Sequence, residues 1–334
     1  MIMKSIEEVF DAFKDKTVLV VGDVMIDHYM RGQVSKISTE APVPVLALER
    51  QEKRLGGAAN VAMNIRALGA TPILCSVVGD DQDGADFEQL LDYEKMPNKG
   101  IIRSQNRVTT TKLRVTSGYQ HLIRVDREDV HPLVDLDQKS LLHHIRNLLD
   151  ECDLVIFEDY DKGTINPVFI ELIIMLAKFK NIPIAVDPKR RNFTHYQGVS
   201  LFKVNVADLK DGLEIDFDAL DEADLGHAAS QLKEKISADN YFITLSKNGL
   251  FYDSGKESGK LQAHPRQIVE VMGAGDTVVS ISGLCLTLGL PLEFIAEMAN
   301  LAGGIVCEMQ GAVPIDKEIL FNEAKENPIL KKYL

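Results

Sequence analysis

The sequence predicts an α/β fold: a mostly parallel central sheet covered by helices on both faces, with a small β-strand lid. Three observations lead there. Short β-branched runs alternate with segments of helical period through 154–245, the rhythm of βαβ units. Two β-rich stretches, about 29–50 and 100–126, break that rhythm and suit a separate antiparallel lid. Polar clusters follow the strand-like runs, and ligand sites of such sheets gather at the carboxyl ends of parallel strands.

Taken in order, 17–21 reads as a buried strand ending at Gly22-Asp23. The run 43–49 starts among Pro42 and Pro44, which suits an edge or lid strand. Helical spacing through Val61, Ile65 and Leu68 marks 58–68, and Gly69 stops it. A strand is expected over 72–78, then two lid strands, 109–115 and 121–126, around a Ser117-Gly118 turn. An amphipathic helix covers 136–149. The alternation that follows is strand 154–157, helix 167–180, strand 183–186, strand 201–205, helix 222–236 and strand 241–245. A strand-like run at 268–271 precedes two long helices, 275–288 and 292–309. With no repeat or linker in view, residues 1–334 are expected to form one domain.

The chain carries 37 Lys and Arg against 50 Asp and Glu, a net charge of −13. Nucleic acid and anionic membranes are bound through basic surface, so neither is an expected partner. The longest apolar stretch, 278–292, is broken by Ser280, Ser282, Gly283 and Gly289 and suits a buried helix. The N-terminus lacks a signal-peptide core. The four cysteines form no Cys-x-x-Cys pair and are expected to be buried thiols in a reducing cytoplasm. The acidic surplus raises a question: a phosphorylated substrate would have to be held by something other than bulk charge.

The strongest local motif is Gly273-Ala274-Gly275-Asp276-Thr277 at the head of an apolar helix. Small residues let a phosphoryl group approach the backbone, and a helix start offers free N–H groups. Asp276 in the first turn is expected to stay ionised and to take a proton from an attacking hydroxyl. An ordinary glycine turn reads equally well from the local pattern. Gly56-Gly57-Ala58-Ala59-Asn60 could bring amides against a polyol, or simply enter a helix whose Asn60 and Asn64 share a face. Asp27, shortly after the first strand, could accept hydrogen bonds from sugar hydroxyls or close a turn. Further polar clusters follow later strands: Glu158-Asp159 with Lys162, Asp187-Pro188-Lys189, Asn205 to Asp208, and Thr244 to Gly249. Each is a turn taken singly; together they mark one site.

The order and spacing of Asp27, Gly56-Gly57 to Asn60, Asn205 to Asp208 and Gly273 to Asp276 resemble the ribokinase-like (pfkB) carbohydrate kinases over about 18–314. The resemblance implies a three-layer α/β/α sandwich with a β-lid, and ATP- and Mg²⁺-dependent phosphorylation of a sugar. It implies Asp276 as base, with the amides of Gly273, Ala274 and Gly275 stabilising the transferring phosphoryl group. Asp27, Gly56, Gly57, Asn60 and Asp159 would bind the sugar. Arg114, Arg124, Lys162 and Lys189 are candidates for a phosphate on the sugar, with surface or lid charge as the alternative. Asn205, Thr244, Ser246, Gly249, Gly273, Gly275 and Asn300 would border ATP, and Asn205, Asp208 and Asp187 would lie at the metal.

The runs Ile37 to Val45, Thr110 to Val115, Leu122 to Asp126 and Asp159 to Gly163 are similar to the branch of that family acting on heptose 7-phosphate in ADP-heptose synthesis. That likeness implies the anomeric hydroxyl as acceptor. Bifunctional members of the branch add a nucleotidyltransferase domain; with its last residue at Leu334, this chain is expected to carry the kinase alone. Relatives that dimerise through the lid, and the exposed lid edges, give a homodimer as the expectation. The sequence departs from the family pattern in three places. Val204 replaces a proline before Asn205, Asp208 stands for a glutamate, and Glu270-Val271-Met272 replaces an Asp-x-Thr run. Met272 removes a hydroxyl and puts the family's monovalent-cation site in doubt. Another sugar or nucleoside as acceptor, or a non-catalytic sensor on the same fold, are the alternative readings.

Overall fold

The computed structural model describes residues 3, 5–118 and 120–334. Along the chain come α1 (Ile6–Ala12), β1 (Thr17–Gly22), β2 (Val24–Ile37), β3 (Pro44–Gly57), α2 (Ala58–Ala67), β4 (Thr71–Gly79) and α3 (Gln82–Tyr93). Then follow β5 (Ile101–Ser104), β6 (Thr111–Ser117), β7 (Gln120–Arg127), α4 (Asp135–Leu148), β8 (Leu154–Glu158), α5 (Pro167–Phe179), β9 (Ile184–Asp187) and β10 (Val199–Asn205). The chain continues through α6 (Val206–Leu213), α7 (Glu222–Lys235), β11 (Ala238–Thr244), β12 (Leu250–Asp253) and β13 (Ser258–Leu261). It ends with α8 (Ala274–Thr287), α9 (Leu292–Val306), α10 (Lys317–Glu326) and α11 (Pro328–Lys331).

Nine strands form the central sheet in the order β13-β12-β11-β10-β9-β8-β1-β4-β5. All neighbours from β11 to β5 are parallel; β12 and β13 turn back antiparallel at one edge. Successive residues of β1 feed opposite faces, as strand geometry requires. Val18 and Val20 pack into a core with α1, α2, α8 and α9, whereas Leu19 and Val21 pack with α4, α5 and α7. The sheet is therefore the middle layer of an α/β/α sandwich, as expected. No helix among the described residues is long and apolar enough to cross a membrane.

A second, four-stranded sheet, β3-β2-β6-β7, forms the lid. Strands β2 and β3 make one long hairpin; β6 joins β2 in parallel and β7 closes antiparallel. Four expectations are corrected. The stretch 100–126 is not all lid: β5 lies beside β4 in the central sheet, and the lid resumes only at Thr111. The lid hairpin starts at Val24 rather than near 29, so Asp27 sits on a strand and not in a turn. The run 268–271 is apolar but forms no strand: Ile268, Val269 and Val271 are exposed, and the N–H groups of Val269 and Glu270 both donate to the Cys307 carbonyl. The edge pair β12 and β13 has no counterpart in the expectations, because four-residue strands carry little period.

Candidate active site

The site lies where the strand ends, the start of α8 and the base of the lid hairpin meet. Gly273 caps α8 with φ of 80°, a left-handed conformation that favours glycine, and a Cβ there would approach Asn60 Nδ2 to 2.9 Å. The chain thus turns sharply into the helix and leaves its first amides at the site. Ala274 N–H makes a long 3.4 Å bond to the Val271 carbonyl.

Asp276 lies in the first turn of α8 and is buried. Asn60 Nδ2 donates to its Oδ2 at 2.6 Å, and the Tyr160 hydroxyl donates to its Oδ1 at 2.8 Å. Burial pushes its carboxyl up to about 6, with Asn60, Tyr160 and Lys203 working against the rise and Asp187 adding to it. The helix start therefore does not hold Asp276 in the ordinary carboxylate range, although it remains mainly ionised at pH 7. Asn64 ties the neighbourhood together. It donates to the Asn60 carbonyl and accepts from Thr277 Oγ1 and Ile315 N–H, so α2 is fixed against α8.

Carboxylates and lysines alternate at the ends of β8, β9 and β10. Lys203, buried inside β10, is ion-paired to Asp187, and Lys189 is ion-paired to Asp208. Burial works against the Lys189 ammonium, but Asp187 and Asp208 outweigh it and keep it firmly charged. Asn205 caps α6 by accepting from Asp208 N–H at 2.8 Å, and its Nδ2 donates to Asp208 Oδ2 at 2.6 Å. Glu158 is pushed well above the carboxylate range by burial and by Asp187 and Asp276. Glu158 Oε2 and Asp187 Oδ1 are buried with no hydrogen-bond partner. Oxygen donors of this kind suit a hard divalent cation that keeps several waters, and Asp187 Oδ1 is an acceptor open to one. No ready-made cluster of three metal-type ligands exists among the described residues.

On the lid side, Asp27 is buried and paired with Arg114 at 2.5 Å. A Cβ on Gly56 would fall 2.5 Å from Asp27 Oδ2, so only glycine leaves that carboxylate in place. Gly57, φ 61°, presses against the Asp23 carbonyl and caps α2. Three guanidinium groups surround the Tyr29 ring: Arg31, Arg54 and Arg114 at 5.3, 5.4 and 5.5 Å from its centroid. Arg31 reaches Gln310 Oε1 at 2.8 Å, Arg54 reaches the Gln310 carbonyl at 3.2 Å, and Tyr29 donates to Met272 Sδ at 3.4 Å. Met272, which stands where the family pattern has a hydroxyl, thus contacts the lid tyrosine.

The sequence model of the pfkB family carbohydrate kinases matches residues 15–318. The chain belongs to this family. It is 39% identical over 291 residues to the bifunctional protein HldE of Wolinella succinogenes, covering 87% of this chain and 60% of that protein. It is 36% identical over 320 residues to the bifunctional protein HldE of Desulfatibacillum aliphaticivorans, covering 95% of this chain and 65% of that protein. The chain therefore spans less than two thirds of the length of these relatives. Among solved structures, phosphofructokinase-2 from Escherichia coli in complex with potassium superposes with a TM-score of 0.75 at 17% identity, over 92% of this chain and 97% of that one. That likeness speaks for the fold.

In this carbohydrate kinase, the geometry gathers Gly273, Ala274, Gly275, Asp276 and Asn60 on one side, and Gly56, Gly57, Asp27 and Arg114 on the other. Asp187, Asn205, Asp208 and Lys189 stand at the adjoining strand ends. Thr244 ends β11, Ser246 has φ of 54°, and Gly249 has φ of 94°; Asn300 on α9 donates to the Gln262 carbonyl at 2.8 Å. Of the expected sugar ligands, Lys189 is tied to Asp208, and three more have other partners. The Asp159 carboxylate accepts from Asn192, Tyr196 and Asp161 N–H, and burial pushes it up to about 7. Lys162 is held by Glu128 at 2.8 Å, and Arg124 by Asp126 at 3.0 Å on the exposed edge strand. Asp23, Tyr160, Lys203, Arg31 and Arg54 were absent from the residues expected at the site. Asp23 and Tyr160 lay in runs already singled out, at the end of the first strand and in Asp159 to Gly163, without a role of their own; the lysine inside the apolar run Leu201 to Val204 was a further signal, since buried lysines need a partner.

Proposed function

We propose that this pfkB kinase transfers the γ-phosphoryl group of ATP to the anomeric hydroxyl of a sugar that already carries a phosphate, D-glycero-D-manno-heptose 7-phosphate. The observation that carries the reading is the arginine cluster around Tyr29. It gathers positive charge on the inner lid, apart from the helix start at Gly273; Arg114 is paired there with Asp27 and Arg54 with Glu52, so a sugar phosphate would share these guanidinium groups with the two carboxylates. Guanidinium groups suit phosphate oxygens through paired donors.

Asp27 and Asn60 would orient the sugar hydroxyls. Asp276 would accept the proton of the attacking hydroxyl, while the α8 amides stabilise charge on the transferring group. Thr244, Ser246, Gly249 and Asn300 would border the nucleotide. Asp187, Asp208 and Asn205 would hold Mg²⁺ through waters, and the bound ion would neutralise the nucleotide phosphates. Positioning and charge stabilisation supply most of what phosphoryl transfer needs.

The test is ATP consumption across heptose 7-phosphate, fructose phosphates and ribose, with Asp276→Asn as control. Heptose 7-phosphate should be turned over best, and Asp276→Asn should lose about 10²-fold or more of the rate. Preferred turnover of an unphosphorylated sugar would overturn the substrate, and ligand binding without any turnover would leave only a sensor.

A further inference from the structure

We infer that Tyr160 is a positioning residue for Asp276, its phenol O–H orienting the carboxylate that receives the substrate's proton. The inference rests on the proposed role of Asp276 as base.

Two neutral donors from separate elements grip the carboxylate. Asn60 on α2 holds Oδ2, and Tyr160 on the loop after β8 holds Oδ1. Together they fix the plane of the group while each oxygen keeps a lone pair for a hydroxyl proton.

The backbone carrying Tyr160 is itself pinned. The buried Asp23 carboxylate accepts the N–H groups of Tyr160, Lys162 and Thr164 at 2.9, 3.1 and 3.0 Å. Next door, Asp159 is tied to Asn192 and Tyr196 at 2.9 and 2.7 Å, and Asp161 follows with φ of 56°. Lys189 Nζ lies 5.9 Å from the centroid of the Tyr160 ring. These contacts hold the backbone that carries the phenol, and its hydroxyl meets Asp276.

The charged groups around the carboxylate oppose one another. Asp187 on β9 is acidic, Lys203 on β10 and Lys189 after β9 are basic, and Glu158 on β8 is a carboxyl that burial drives toward its neutral form. Burial and the neighbouring Asp276 keep the Tyr160 hydroxyl well above its ordinary pKa, so it stays a donor throughout the working range. A donor to the ionised carboxylate favours that form, so removing it must raise the pKa of Asp276. During transfer the sugar's proton goes to Asp276, and Tyr160 keeps its own.

The test is Tyr160→Phe in the full chain, with kcat followed against pH. The acid limb should move up by about one pH unit, the size of one lost charge-assisted hydrogen bond. KM for sugar and ATP should not change, since the group held is the base, and a loss of kcat on the alkaline plateau reports the lost orientation. An unmoved limb overturns the inference, whatever the plateau does. Asp276→Asn separates the two readings. Turnover surviving that change removes the base and the inference with it. An inactive Asp276→Asn beside an unmoved limb in Tyr160→Phe removes the inference alone.

Discussion

As the proposed base, Asp276 would serve only while ionised, so its environment would set the lower pH limit of the reaction. Its carboxyl, pushed up to about 6 by burial, must lose its proton before it can accept another. The rate should therefore fall as pH drops through about 6, and a kcat profile from pH 5 to 9 checks this. A limb near 4 would mean that another group limits. The lid arginines act on binding instead. Arg54→Met removes one guanidinium from the Tyr29 cluster, and loss of a charge-assisted contact should raise KM for the sugar phosphate about tenfold. KM for ATP should not change, and a sugar KM that also stays put would remove the cluster from the site. The residues legible in the sequence are those in short contiguous motifs, such as Gly273 to Asp276 and Gly56 to Asn60. Tyr160 was not, because its partner lies 116 positions away and nothing in the intervening chain marks the pairing.

At the scale of elements, one buried ion pair joins β10 to β9 beneath the start of α8. Lys203 and Asp187 lie beneath the start of α8, where a Cβ on Gly275 would come within 2.9 Å of the lysine nitrogen and 3.3 Å of the carboxylate. Removing one partner leaves the other charge buried and unpaired, which costs far more than the pair itself contributes. Lys203→Met should destabilise the protein by roughly 3 kcal/mol in urea unfolding, and by much less in an Asp187→Asn background. Equal costs in both backgrounds would mean that the two groups are not coupled. The elements read correctly from sequence were those buried on both faces, such as β1, β8 and β10, whose continuous apolar runs admit little else. The run 268–271 misled for the opposite reason. It is apolar without being buried, and only the fold decides that it crosses the surface toward α8. Strands β12 and β13 owe their existence to the edge of β11, a partner that no local pattern reveals.

For the whole molecule, the charge of −13 is compatible with two anionic ligands because the positive groups are concentrated. Arg31, Arg54 and Arg114 share one lid face, while Lys189 and Lys203 stand at the strand ends. The opposite face of the lid has another character. Across the strands, Met30, Val115 and Ile123 form one row, and His28, Leu113 and Val125 form the next. Ile123 and Val125 are 56% and 48% exposed, beside the free edge of β7. An apolar sheet face with open edges pairs readily with another of its kind. We propose that this face meets its counterpart on a second copy, which would also brace each lid over its site. Sedimentation should then give twice the chain mass at micromolar concentration, and Ile123→Glu with Val125→Glu should give monomers. Bracing predicts that these monomers bind the sugar phosphate more weakly yet melt at nearly the parent temperature, since the substituted side chains lie outside both main cores. A parent chain that sediments as a monomer would overturn the pairing, and monomers with unchanged sugar affinity would separate pairing from lid closure.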